Sequence, residues 1–274
     1  MEVYAMNMDW LTVIMDPMYT LGVNIWNSVL TLCFMSGIMG PANYTKAWSY
    51  TVDTLNPFFV AIAATMLNIF FYIGFCRTVG NLKENMTLET GLNIFIKMIL
   101  GNAGINLALT FAKWLFGISA TAASVLADPA DLSMDMMDLS AGERVFYSFF
   151  GIIFLVVAIV SAATVFITMY TRIIHLYLTA ATGPLAISCI PGGPGIQNCF
   201  GAWVKELISK TTSIIAIILG VSLITKMLSG KTLITGVAPG LEAAGGYVQN
   251  MFLMMLVAAF IKGADSWIKK TFGL

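Results

Sequence analysis

The stretch ATGPLAISCIPGGPGIQNCFGAW, residues 181–203, gathers Pro184, Pro191, Gly192, Gly193, Pro194 and Gly195 between two apolar runs. A Gly-rich loop that cradles phosphate ends in Gly-Lys-Ser/Thr, because the lysine reaches the phosphates and the hydroxyl reaches magnesium. Here the cluster is followed by Ile196, Gln197 and Asn198, so nucleotide chemistry lacks its essential groups. The cluster reads instead as an elbow: proline and glycine end one helix, and another starts near Ile196. Buried among neighbouring subunits, such a turn would present its backbone to a central passage or to a cytoplasmic ATPase.

Other chemistry is scarce. His175, the single histidine, follows Arg172 by three residues, which puts both on one helical face and suits an interfacial pair near lipid headgroups. A proton relay or a Ser/Cys triad would need a nearby acid, yet no Asp or Glu occurs between Glu143 and Glu206. Cys33, Cys76, Cys189 and Cys199 sit singly in apolar surroundings without metal-binding spacing. Lys97 is the best ionisable candidate for membrane depth, either snorkelling or facing a lumen or subunit interface. Asn93 shares its face, while Asn102 and Asn106 lie nearly opposite, so a kink at Gly101–Gly104 is expected. No catalytic residue, metal site or enzyme activity is expected, and no cofactor apart from a phospholipid that could bind.

Composition sets the solvent for these groups. The chain is 58% hydrophobic and 10% charged, against roughly 25% charged in an ordinary soluble domain. Its 14 acidic and 14 basic side chains cannot cover a soluble domain of this size, so the bilayer must take that part. Zero net charge gives no broad basic surface for nucleic acid. The start carries Glu2, Asp9 and Asp16 without a basic residue, unlike a cleavable secretory signal, so the N-terminus is expected to be retained.

Spanning helices need about 20 mainly apolar residues. Such windows occur at 54–76, 88–112, 145–171, in the apolar second half of the stretch from Ala202 to Gly230, and at 243–261. Residues 17–45 are polar enough in places to favour an amphipathic helix near the outer surface. Residues 78–90 read as a short polar turn with Thr87 as a helix cap, and 114–127 as a helix hugging the membrane surface. Residues 173–190 could continue the long helix, dip, or cross; a membrane-level elbow is favoured. Asp128, Asp131, Asp135 and Asp138 form an acidic outer loop, readable as a cation-attracting vestibule or simply as a solvated loop.

Lysine and arginine then orient the chain. Placing Arg77, Lys83, Arg172, Lys205, Lys210, Lys262, Lys269 and Lys270 inside gives five crossings, an outer N-terminus and a cytoplasmic C-terminus. The expected fold is all-α: a polytopic helical integral membrane protein with about five transmembrane helices, an N-terminal amphipathic helix and a cytoplasmic Pro/Gly elbow. It reads as one helical membrane domain over 1–274, with an interfacial segment (1–53), a transmembrane core (54–261) and a basic tail (262–274). Small residues such as Gly101, Gly104, Ala162, Ala163, Ala243, Ala244, Gly245 and Gly246 would serve helix contacts.

The segment from Arg172 resembles the core of TrbL-type polytopic inner-membrane subunits of type IV secretion and conjugation machines. The likeness rests on Gly183, Pro184, Leu185 and Ala186, the Gly-rich break, then Trp203, Lys205 and Lys210; Gly183 stands where an alanine is more usual. With its span and turn pattern it extends over roughly residues 54–261. The resemblance implies a structural and translocation subunit of the bacterial cytoplasmic membrane, assembled as a homo-oligomeric ring beside other secretion subunits and cytoplasmic ATPases. The cargo would be single-stranded DNA with a relaxase, or protein. The outer loop is short here, about 30 residues from Lys113 to Glu143, which weakens a direct DNA-handling role for it. Two other readings stay open: a secondary transporter with a broken helix at 184–195, and a holin-like pore.

Overall fold

The computed structural model describes residues 9–35, 45–81, 88–126, 134, 141–193, 195–228 and 242–273. Among the described residues the chain is helical throughout, without a strand. The helices are α1 (Asp9–Leu30), α2 (Thr45–Tyr50), α3 (Asn56–Asn81), α4 (Leu88–Leu126), α5 (Ala141–Ala181), α6 (Gly183–Ser188), α7 (Asn198–Leu228) and α8 (Glu242–Phe272). A π-helical turn, Thr31–Met35, extends α1, and another, Thr51–Leu55, joins α2 to α3.

Five helical stretches are long and apolar enough to cross a membrane: Lys46–Thr78, Gly91–Ala122, Phe150–Ala181, Asn198–Met227 and Gly245–Thr271. This is a polytopic helical membrane protein, as its composition predicts. Their hydroxyl side chains are satisfied internally, which an apolar solvent demands. Thr65, Thr164 and Thr225 donate to the carbonyls of Ala61, Val160 and Val221, four residues back, at 3.4, 2.8 and 2.7 Å.

Several boundaries differ from the sequence reading. Helix α4 runs unbroken through Gly101–Gly104 to Leu126, so residues 114–126 end a long helix and do not form a separate surface helix. Helix α3 continues through Asn81, absorbing the start of the expected turn; Lys83 and Thr87 lie outside the described residues. Intrahelical hydrogen bonding outweighs the weak propensity of isolated glycines where lipid offers no alternative partner. The acidic residues Asp128, Asp131, Asp135 and Asp138 also lie outside the described residues.

The chain divides into two compact units. The first combines Met1–Met39, Ala123–Tyr170 and Ile215–Ser266. In it, α1 and the turn after it bury Tyr19, Val23, Trp26, Leu30, Cys33 and Phe34, a stripe at three- and four-residue spacing. The expected amphipathic pattern is present, but its apolar face is packed within the protein. The Tyr19 ring lies 4.6 Å from that of Phe154 and 4.4 Å from that of Tyr247. Gly22 permits the approach, since a Cβ there would meet the Phe154 ring at 2.9 Å. Gly220 likewise receives the Phe260 ring. Ala162 is buried and Ala163 exposed.

The polar edge of α1 has its own tether. Asn27 donates from Nδ2 to the Met134 carbonyl and accepts from the Met134 amide at Oδ1, both at 3.0 Å. Replacing this side chain with leucine removes both partners of one buried peptide residue, a loss of about 1–3 kcal/mol. The Asn27→Leu protein should show the Met134 amide exchanging roughly ten- to a hundred-fold faster by hydrogen-exchange mass spectrometry; unchanged exchange would show the tether to be idle.

The second unit combines Gly40–Ala122, Thr171–Ile214 and Trp267–Leu274. One cluster buries Ala112, Phe116, Leu176, Ala180, Trp203 and Leu207, and another buries Ala63, Leu67, Ile105, Ala108 and Ile187. Trp48 packs against Phe116 and Tyr177, with ring centroids 5.7 and 5.6 Å away, and the Lys113 ammonium sits 5.9 Å above its ring. This unit holds the Pro/Gly elbow.

Candidate functional site

The elbow starts because helix α5 cannot continue through Pro184. Proline lacks an amide donor, and its ring obstructs the carbonyl four residues earlier. Helix α5 closes with the Thr182 amide donating to the Leu178 carbonyl at 2.9 Å, and the Leu185 and Ala186 amides then turn to the Thr182 carbonyl at 3.1 and 3.3 Å. The Thr182 hydroxyl lies 2.9 Å from the Leu178 carbonyl and 3.2 Å from the Thr179 carbonyl and shares its one proton between them.

After α6, a short 3-10 turn over Ile190–Gly192 carries the chain to Gly193 and Gly195, whose φ values of 78° and 93° lie in the left-handed region. Only glycine takes that region at little cost. The Gln197 amide donates to the Gly193 carbonyl at 3.1 Å, and the Cys199 and Phe200 amides begin α7 by donating to Ile196 and Gln197 at 3.1 and 3.2 Å. Residues 173–181 therefore continue the long helix, and the break falls at Thr182–Gly183.

The elbow is seated on glycines of the neighbouring helices. A Cβ at Gly74 of α3 would overlap the Pro191 carbonyl oxygen, a backbone atom that cannot rotate aside. On α4, a Cβ at Gly104 would press the Ile187 side chain at 2.9 Å, and one at Gly101 would press Leu67 at 2.8 Å. A Cβ at Gly183 would press the Trp203 ring at 2.8 Å and the Ala108 methyl at 3.0 Å. Trp203 completes the seat: its indole Nε1 donates to the Thr179 carbonyl at 2.7 Å, locking the start of α7 to the end of α5. Gly101 and Gly104, expected to serve helix contacts, make room on α4 for Leu67 of α3 and Ile187 of α6.

Pro184, Pro191 and Gly192 are buried and Gly193 half-buried; Pro194 lies outside the described residues. Arg172 is buried at 2% exposure whereas His175 is exposed. Residues three apart differ by about 60° around the helix, and the edge of the packed face falls between these two. Among the lumen candidates, Lys97 is half-buried, and Asn93, Asn102 and Asn106 are exposed. Asn106 donates from Nδ2 to the Asn102 carbonyl of its own helix at 3.2 Å, and no polar cluster joins all four.

Lys205 is exposed and borders an open cavity of about 710 Å³ shared with Gln197, Asn198, Ile190 and Phe200. Lys210 is buried beside Glu206, Nζ to Oε1 3.7 Å, and the other Glu206 oxygen accepts from the Lys269 ammonium at 3.0 Å. Glu206 thereby joins the tail of α8 to the base of α7, a link that the sequence reading missed because partners so far apart leave no local pattern. It also missed the Gly74 seat. The cysteines are less uniform than expected: Cys33 and Cys189 are buried, whereas Cys76 and Cys199 are exposed. Cys189 and Cys199 are not solitary but in side-chain contact.

Among the described residues, no group of three or more His, Cys, Asp or Glu side chains is placed to hold a metal ion. The arrangement holds a broken, tightly seated turn beside an opening bordered by Lys205. Compared with protein-family models, curated proteins and solved structures, the chain matches none.

Proposed function

We propose that this chain is a structural and translocation subunit of a conjugation-type type IV secretion machine, without catalysis of its own. It lies in the bacterial cytoplasmic membrane with an outer N-terminus and a cytoplasmic C-terminus. The observation that carries the reading is the seated elbow: a Pro/Gly break inside a five-span chain, held by glycine contacts and opening beside Lys205. Irregular backbone at membrane depth is tolerated only where protein or a water-filled cavity covers it; the glycine seat supplies the protein cover, and the opening beside Lys205 suits a passage.

The basic residues support the orientation. Arg77 lies near the end of α3, Lys205 near the start of α7, and Lys269 and Lys270 in the last turn of α8, which the positive-inside rule puts on one side. The elbow then faces the cytoplasm, where transport ATPases hand over single-stranded DNA or protein. Copies of the chain associate through their exposed apolar faces, and a closed ring is the form that head-to-tail contacts take when they do not run on into filaments.

The test is DNA-transfer frequency from a donor lacking this gene, with and without a plasmid copy, while the other transfer proteins are confirmed by immunoblot. Transfer should fall to background and return with the copy. Undiminished transfer would overturn the reading and bring forward a secondary transporter with a broken helix.

A further inference from the structure

The open cavity of about 710 Å³ beside the elbow has a mixed lining. Ile190, Phe200 and Ala202 give it an apolar wall, Gln197 and Asn198 bring exposed side-chain amides, and Lys205 brings its single charged group. Its volume falls in the range of small-ligand sites. Among the described residues no acid lines it. Glu206, the next residue along the chain, is engaged by Lys210 and Lys269 at 3.7 and 3.0 Å, so the Lys205 ammonium is the uncompensated charge of the opening.

Helix α7 sets the depth of this charge. The apolar stretch Asn198–Met227 has 30 residues, roughly 45 Å at about 1.5 Å per residue, and so exceeds the hydrocarbon core of about 30 Å. Counted back from Met227, that core takes about 20 residues and begins near Ile208. Lys205, Asn198 and Gln197 then lie at the headgroup level of one leaflet, where the abundant phosphate belongs to lipid.

We propose that this cavity is a binding site for an anionic phospholipid, with the headgroup phosphate on the Lys205 ammonium and the Gln197 and Asn198 amides, and acyl chain against Ile190, Phe200 and Ala202. Lysine holds phosphate as a compact point charge. A zwitterionic headgroup brings its own cation to that ammonium, whereas an anionic one does not, which fixes the lipid class. Single-stranded nucleic acid is held instead by a positively charged groove that tracks its backbone, and one lysine makes no such track. The inference stands apart from the translocation reading, since it needs only that α7 crosses the membrane; where a passage runs beside the elbow, the lipid lies in its wall.

The full-length chain in detergent would be titrated with dioleoylphosphatidylglycerol and, separately, with dioleoylphosphatidylcholine, and lipid-bound protein counted by native mass spectrometry. Half-occupancy should come at a roughly five-fold lower concentration of the glycerol lipid, the effect of one lysine beside an anionic lipid surface. Lys205→Gln should erase that preference and Lys205→Arg should keep it. Gly201→Trp places a bulky side chain in the cavity, at an exposed position with nothing within 4 Å of an added Cβ, and should also abolish the preference although Lys205 is intact. Lys262→Gln, at an exposed lysine of α8, should bind like the parent. Equal binding of the two lipids by the parent would overturn the proposal. So would a preference undiminished in Lys205→Gln or Gly201→Trp, an equal loss in Lys262→Gln, or release of the glycerol lipid by inorganic phosphate or a thymidine oligonucleotide.

Discussion

Gly74→Leu is expected to cost about 3 kcal/mol or more. Overpacking a tight interior usually costs 1–3 kcal/mol because side chains relax, but here the obstructing atom is the Pro191 carbonyl oxygen. Backbone held by hydrogen bonds on both sides cannot rotate out of the way, so the elbow must lift off α3. Gly80→Leu, on the same helix and with nothing within 4 Å of an added Cβ, is the control. Thermal unfolding in detergent should show Gly74→Leu melting well below the parent and Gly80→Leu close to it. Equal melting temperatures would mean that the elbow is not seated on Gly74.

Trp203→Ala should lose about 3–5 kcal/mol, the range for removing a large buried aromatic side chain. Trp203 is 8% exposed, packs against Gly183, and donates to the Thr179 carbonyl at 2.7 Å. Trp203→Phe separates the two contributions, since it keeps most of the packing and removes only the donor. It should lose about 1 kcal/mol, because the Thr179 carbonyl still accepts from the Thr182 hydroxyl at 3.2 Å. The thermal shifts should rank parent, Trp203→Phe, Trp203→Ala. A phenylalanine protein as unstable as the alanine one would assign the seat to the hydrogen bond, and a parent-like alanine protein would remove Trp203 from it.

What the sequence made legible was governed by short-range rules. Mainly apolar windows identified the five apolar helices, and Pro184 marked a break that follows from a missing donor and a ring clash. The failures share a cause. Gly101 and Gly104 read from sequence as weak helix formers, yet their missing side chains make room for Leu67 and Ile187, which only the packed structure brings alongside. Arg172 and His175 share a face by spacing, but which side of the boundary each takes depends on what packs there. Glu206 and Lys269 meet through the return of α8, and no periodicity in either segment announces it. For the proposed site this means that the elbow could be found from sequence, whereas its seat could not.

The central claim is that the elbow turns at the cytoplasmic face of the membrane. It is tested most directly by a single cysteine at Gln197, an exposed position of the turn, in a protein whose four native cysteines are replaced by serine. A membrane-impermeant maleimide should label this cysteine in inverted vesicles and leave it unlabelled in intact spheroplasts. Labelling from the outer side, with protection from the cytoplasmic side, would contradict the topology and the translocation reading built on it.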